Sequence, residues 1–60
     1  MFIDFVILPF DFNDTTITFV AETDAAKARF GGAIAAQVRK SAAPDYADLL
    51  ESEGFTVRTA

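Results

Sequence analysis

The run from Phe2 to Phe10, F-I-D-F-V-I-L-P-F, carries a single charge, Asp4, and is the most apolar part of the chain. Ile3, Val6 and Ile7 are β-branched and Phe2, Phe5 and Phe10 are aromatic, side chains that fit a pleated, packed surface. Alternation places Phe2, Asp4, Val6 and Leu8 on one face and Ile3, Phe5 and Ile7 on the other. Both rows are apolar, which predicts a strand covered on both sides or central in its sheet. Pro9 has no N–H for a ladder, so the strand is expected to end near Leu8. The same run is a poor signal peptide: it lacks a basic leader, Asp4 interrupts it, and no small-residue cleavage site follows. It is also too short for a membrane helix, which needs about 20 apolar residues. A soluble protein that keeps this segment is expected.

With 60 residues the chain is read as one domain, residues 1–60. Such a chain hides only about 60% of its unfolded surface, so packing has to be tight or shared with a partner. There is no cysteine and no histidine, so no disulfide staple is possible, and neither a structural zinc nor any other cofactor is expected. Lack of cysteine fits a cytoplasmic location. Nine acids against five bases give a net charge of −4, which argues against direct contact with nucleic acid or an anionic membrane and favours a basic partner.

Asp11-Phe12-Asn13-Asp14 supplies turn residues for a hairpin into a second strand, Thr15 to Glu22. Ile17, Phe19 and Ala21 share one face of that strand, and Thr16, Thr18 and Val20 the other. Phe10 and Phe12 flank Asp11, where they either cap the core or form an exposed aromatic contact. Thr23 is placed as an N-cap, with Asp24 in the first turn and the helix formers Ala25 to Arg29 behind it. Gly31-Gly32 stops that helix. Ala33 to Lys40 is open to two readings. As a strand it points Ile34, Ala36 and Val38 inward; as helix it makes an i,i+4 stripe of Phe30, Ile34 and Val38. The strand is preferred because paired glycines are costly inside a helix. Ser41-Ala42-Ala43 is taken as a linker. A second helix runs from Pro44 to about Glu53, burying Tyr46, Leu49 and Leu50, and ends at Gly54. Phe55 to Arg58 is the last strand. The order β-β-α-β-α-β predicts a small α+β two-layer sandwich, with two helices on one face of a mainly antiparallel four-stranded sheet. The expected core is Ile3, Phe5, Ile7, Ile17, Phe19, Phe30, Val38, Leu49, Leu50, Phe55 and Val57.

No constellation for chemistry is evident, so the chain is read as non-enzymatic. Carboxylates at Asp45 and Asp48, or Asp48 and Glu51, could be helical neighbours, but exposed acids on a helix are ordinarily a solvated face. Gly31-Gly32 lacks the Lys-Ser/Thr of a phosphate loop. Arg39-Lys40 is too short for a nucleic-acid footprint, and pairing with nearby acids is expected instead. The acids themselves ask for explanation. The second helix carries Asp45, Asp48, Glu51 and Glu53 and no base. The helix dipole accounts for Asp45 and, less well, Asp48, but it disfavours Glu51 and Glu53 in the last turn. Asp11 and Asp14 cluster at the hairpin. The acids can serve solubility alone, or they can form a surface for a basic partner, with carboxylates standing in for phosphates.

In size, acidity and want of catalytic residues, with Asp45, Asp48, Glu51, Glu53, Asp11 and Asp14 as the acids concerned, the chain resembles small phage-borne anti-CRISPR proteins. That resemblance implies an inhibitor acting in a bacterial host's cytoplasm on a nucleic-acid-binding or subunit surface of a CRISPR effector. The expected partner-binding residues are those six acids with Phe10 and Phe12. The alternative is a structural module that forms a homo-oligomer through its apolar first strand, Phe10 and Phe12.

Overall fold

The computed structural model describes residues 2–8 and 15–60. The elements run β1 (Phe5–Ile7), β2 (Thr16–Ala21), α1 (Asp24–Arg29), β3 (Ala35–Arg39), a 3-10 turn (Lys40–Ala42), α2 (Ala43–Ser52) and β4 (Val57–Thr59). This is the expected α+β order, and the strand reading holds for the segment that was open between strand and helix. The four strands form one mixed sheet in the order β3-β2-β1-β4. β1 pairs antiparallel with β2 and parallel with β4, and β2 pairs antiparallel with β3. The apolar first strand is therefore central, as its two apolar faces require.

Register fixes the two faces. Phe5 lies beside Ala21 and Val57, Phe19 beside Ala36, and Ile17 beside Val38. These residues face the helices. Val6, Val20, Thr18, Thr16, Ala35, Gln37, Arg39 and Arg58 occupy the opposite face, which no described helix covers. In β2 the alternation is complete: Ile17, Phe19 and Ala21 are buried and the residues between them are half-buried.

Each helix ends as its glycine dictates. Gly31 and Gly54 adopt φ of 69° and 97°, values that cost an L side chain but not glycine. In α1 the Gly31 N–H donates to the Ala28 carbonyl and the Gly32 N–H to that of Lys27. In α2 the Gly54 N–H donates to Glu51 and the Phe55 N–H to Leu50. Both are complete Schellman closures, and each sends an aromatic residue, Phe30 or Phe55, back onto the core.

That core is Phe5, Ile17, Phe19, Ala21, Ala26, Ala43 and Leu50, with Ile7, Phe30, Val38, Tyr46, Ala47, Phe55 and Val57 packed against it. Phe5 is its hub. Its ring centroid lies 4.9 Å from Phe30 and 5.1 Å from Phe55, and Tyr46 meets Phe19 edge-on at 5.3 Å. Three expectations need correction. Leu49 is 46% exposed, because the buried stripe of α2 is Ala43, Tyr46, Ala47 and Leu50 rather than Tyr46, Leu49 and Leu50. Ala43 is not linker but a buried residue of that stripe, since a 3-10 turn starts the helical path at Lys40. Ile3 is only half-buried and outside the core cluster. In addition, β4 is displaced toward the C-terminus relative to Phe55 to Arg58, because Phe55 belongs to the helix closure. The expected hairpin connection, with Phe10 and Phe12, lies outside the described residues.

Leu50 is fully buried, so Leu50→Ala is expected to cost about 2–5 kcal/mol. Leu49→Ala is expected to cost less than about 1 kcal/mol, as a surface change. Urea melts of the two variants check this directly; equal losses would mean that the helix presents a different face.

Candidate functional site

Helix α2 carries the acids singled out in the sequence. Pro44 sits in its first turn and Asp45 lies where the dipole favours an acid. Asp45, Asp48 and Glu51 are exposed, and the last turn holds no basic residue. At helical spacing Asp45, Asp48, Leu49 and Ser52 share one solvent stripe, with Glu51 beside Asp48. The exposed Leu49 thus stands as an apolar knob among carboxylates. This arrangement can meet a basic surface with an apolar pocket.

Glu53 behaves differently. Its Oε1 accepts from Arg29 Nε at 2.6 Å and its Oε2 from Arg29 Nη2 at 3.0 Å. The bidentate pair clamps the C-terminal end of α2 to that of α1. Arg29 lowers the Glu53 pKa through these hydrogen bonds and its charge, and the Arg29 pKa is raised in turn. An acid that the helix dipole disfavours is thus explained by a guanidinium from the neighbouring helix. Glu53 is thus paired within the fold, whereas Asp45, Asp48 and Glu51 make no ion pair among the described residues.

The one charge in the apolar first stretch, Asp4, just before β1, proves to be a junction. Asp4 Oδ1 accepts from the Thr23 hydroxyl at 2.7 Å, and Oδ2 accepts from the Thr56 N–H at 2.9 Å. Thr23 Oγ1 also accepts from the Ala26 N–H at 3.2 Å, so the N-cap of α1 is oriented by the carboxylate behind it. The backbone repeats the ties: Asp4 N–H donates to the Thr56 carbonyl and Glu22 N–H to the Asp4 carbonyl. Asp4 therefore joins β1 to the start of α1 and to the approach of β4. Sequence reading noticed Asp4 only as a break in an apolar run. The usable signal was that a lone acid between apolar strand residues must find donors.

Among the described residues Arg39 and Lys40 make no ion pair, the acids Asp11 and Asp14 lying outside those residues; the ion pair among the described residues is Arg29 with Glu53. They line a shallow concavity with Thr15, Thr16 and Ser41. A smaller apolar groove lies between the sheet and the start of α2, lined by residues that include Ile7, Leu8, Ile17, Pro44 and Ala47. No group of acids that could hold a metal ion occurs among the described residues, and no described helix is long and apolar enough to cross a membrane. Asp11, Asp14, Phe10 and Phe12 lie outside the described residues. Compared with protein-family models, curated proteins and solved structures, the chain matches none.

The Asp4 pKa is lowered, first by the Thr56 N–H bond and then by the Thr23 hydroxyl, against an opposing desolvation. A carboxyl depressed in the folded state contributes stability that is complete above its unfolded value near ~3.9 and is lost as pH falls through the folded value. Asn at this position keeps one acceptor oxygen and turns an NH2 toward one of the two donors. Asp4→Asn is therefore expected to lower stability by about 1–2 kcal/mol at pH 7 and to flatten the fall in stability below about pH 4. Urea midpoints measured from pH 2 to pH 7 test both parts; an unchanged acid limb would remove Asp4 as its source.

Proposed function

We propose that the chain is a small non-enzymatic protein-binding inhibitor whose acidic helix α2 docks on a basic partner surface. The observation that carries this reading is Glu51, which is exposed in the last turn of α2 and makes no ion pair among the described residues. Helix energetics favour the opposite charge there, and Asp48 at i−3 adds a like-charge cost. Unlike Glu53, Glu51 receives no such compensation among the described residues. Leu49, flanked by Asp45 and Asp48, adds apolar contact to the same stripe. The partner that fits is a cationic groove, of the kind that a bacterial CRISPR effector presents to nucleic acid or to a neighbouring subunit. Carboxylates would take the places of phosphates there, and opposite fields would speed the encounter. Asp11, Asp14, Phe10 and Phe12 remain candidate contacts of the same inhibitor.

Reversing the exposed charges (Asp48→Lys with Glu51→Lys) is expected to leave folding intact, because both side chains are exposed and late cations suit the dipole. Binding to the basic partner is expected to weaken about ten-fold or more at low salt, chiefly through the on-rate, with the difference shrinking at high ionic strength. The measurement is a side-by-side pull-down from bacterial lysate, followed by surface-binding kinetics with the recovered protein at several salt concentrations. Equal recovery and equal on-rates for both forms would remove the acidic helix as the docking surface.

A further inference from the structure

The apolar groove between the sheet and the start of α2 follows from the side chains that the helix places there. Its first turns direct Ala43 and Ala47 toward the sheet, over Ile7 of β1 and Ile17 of β2. Alanine is too short to fill that space. Further along the helix the gap closes: Tyr46 meets Phe19 at 5.3 Å and Leu50 is fully buried. The groove has a volume of about 350 Å³, at the lower end of the roughly 300–1,000 Å³ of small-molecule sites. Leu8, 37% exposed, and Pro44 are among its walls. Lys40 lines the groove and also the shallow concavity that holds Arg39 and Ser41. Its backbone is fixed, since the Lys40 N–H donates to the Thr15 carbonyl. Thr15 and Thr16 complete the concavity and have interactions of their own. Neither hollow is lined by a described acid. An apolar trough therefore adjoins a patch that carries Arg39, Lys40 and the Ser41 hydroxyl, with Lys40 common to both.

We infer that the two hollows form one site for an amphiphilic anion, a single-chain alkyl carboxylate that lays its chain in the groove and its head group against Lys40. This inference is independent of the acidic-helix reading. Charge complementarity selects the ligand. A carboxylate at the junction meets the Lys40 ammonium, with the Arg39 guanidinium and the Ser41 hydroxyl in the same concavity, and hydrogen bonds to an ionised group are stronger than neutral ones. A cationic amphiphile is repelled at that point, and a neutral one gains the groove alone. The chain takes the exposed part of Leu8 and the alanine-lined wall out of water, and each methylene so buried tightens binding by up to about four-fold. The free acid is the source that fits, rather than a membrane. The site is a concave groove and not a protruding apolar face of the kind that enters a bilayer, and a net charge of −4 opposes approach to an anionic one. With one chain partly enclosed, dissociation constants between about 10 µM and 1 mM are expected.

Sodium decanoate is the probe, ionised at about pH 7 and kept below the concentration at which it forms micelles. Titrated into methyl-labelled protein, it is expected to give saturable shifts at Ile7, Leu8, Ile17, Ala43 and Ala47. Ile34 and Leu49, which are exposed but line neither hollow, should not move. Octanoate, with its shorter chain, should bind about ten-fold more weakly, and decyltrimethylammonium should leave the groove signals unshifted. Lys40→Glu, at an exposed position, should keep the wild-type circular dichroism. It should weaken decanoate about ten-fold and leave the weaker binding of decanol unchanged. Absence of saturable decanoate binding, shifts centred on Ile34 or Leu49, equal affinity for decyltrimethylammonium, or unaltered binding by Lys40→Glu would each overturn the inference. So would flotation with phosphatidylglycerol vesicles in the absence of decanoate binding, which would make the surface a membrane contact.

Discussion

The contact on which the rest depends is the packing of Phe30 and Phe55 on Phe5. Phe5 is fully buried in the central strand, beside Ala21 on one flank and Val57 on the other. Its two ring neighbours come from the ends of the two helices, one from each Schellman closure. Gly31 and Gly54 thus do more than terminate helices: the closures they allow place Phe30, just before Gly31, and Phe55, just after Gly54, over the same point of the sheet. Aromatic pairs at these separations each add about 0.5–1.5 kcal/mol beyond their buried area. In a chain this short, a core organised around one ring concentrates stability where both helices meet.

The charged groups brace that same point. Arg29 stands one residue before Phe30, and Glu53 stands two residues before Phe55, so the bidentate pair spans the helix ends just where the aromatics turn inward. At the other end of the layer, Asp4 stands next to Phe5 in the chain and holds both the N-cap of α1 and the segment entering β4. Small residues complete the arrangement. Ala21, Ala26 and Ala43 are buried, and their size lets the helices lie close enough to the sheet for Phe30, Tyr46 and Phe55 to interlock.

Much of this was legible from the residues because the signals are local. Thr23 as an N-cap, the two glycine stops and the alternation of β2 follow from backbone chemistry that needs no knowledge of partners, and the paired glycines tip Ala35–Arg39 toward strand. The losses come where a local pattern admits two tertiary solutions. Leu49 and Leu50 are equally apolar, and choosing between them requires knowing that the helical path begins before Pro44, which brings Ala43 into the stripe. Alanines count as helix formers in sequence and as core only once the helix–sheet distance is known. Asp4 and Glu53 are sequence anomalies, an acid in an apolar strand and an acid at a helix C-terminus. Their partners, Thr23, Thr56 and Arg29, are distant along the chain, so pairing could not be read. The same distance separates legible from hidden in the acidic surface: composition reveals a surplus, and only geometry distinguishes a clamp from a free carboxylate.

That distinction changes what the surplus means. A cluster of four acids on one helix invites a single explanation, yet Glu53 is committed to Arg29 and Asp45 is favoured by the dipole. The unexplained charge then rests on Glu51 and its neighbour Asp48, beside Leu49. Apolar and acidic groups on one exposed stripe are a costly combination for solubility alone, since solubility needs charge but not an uncovered leucine. A docking surface uses both, the charge for encounter and register and the leucine for residence.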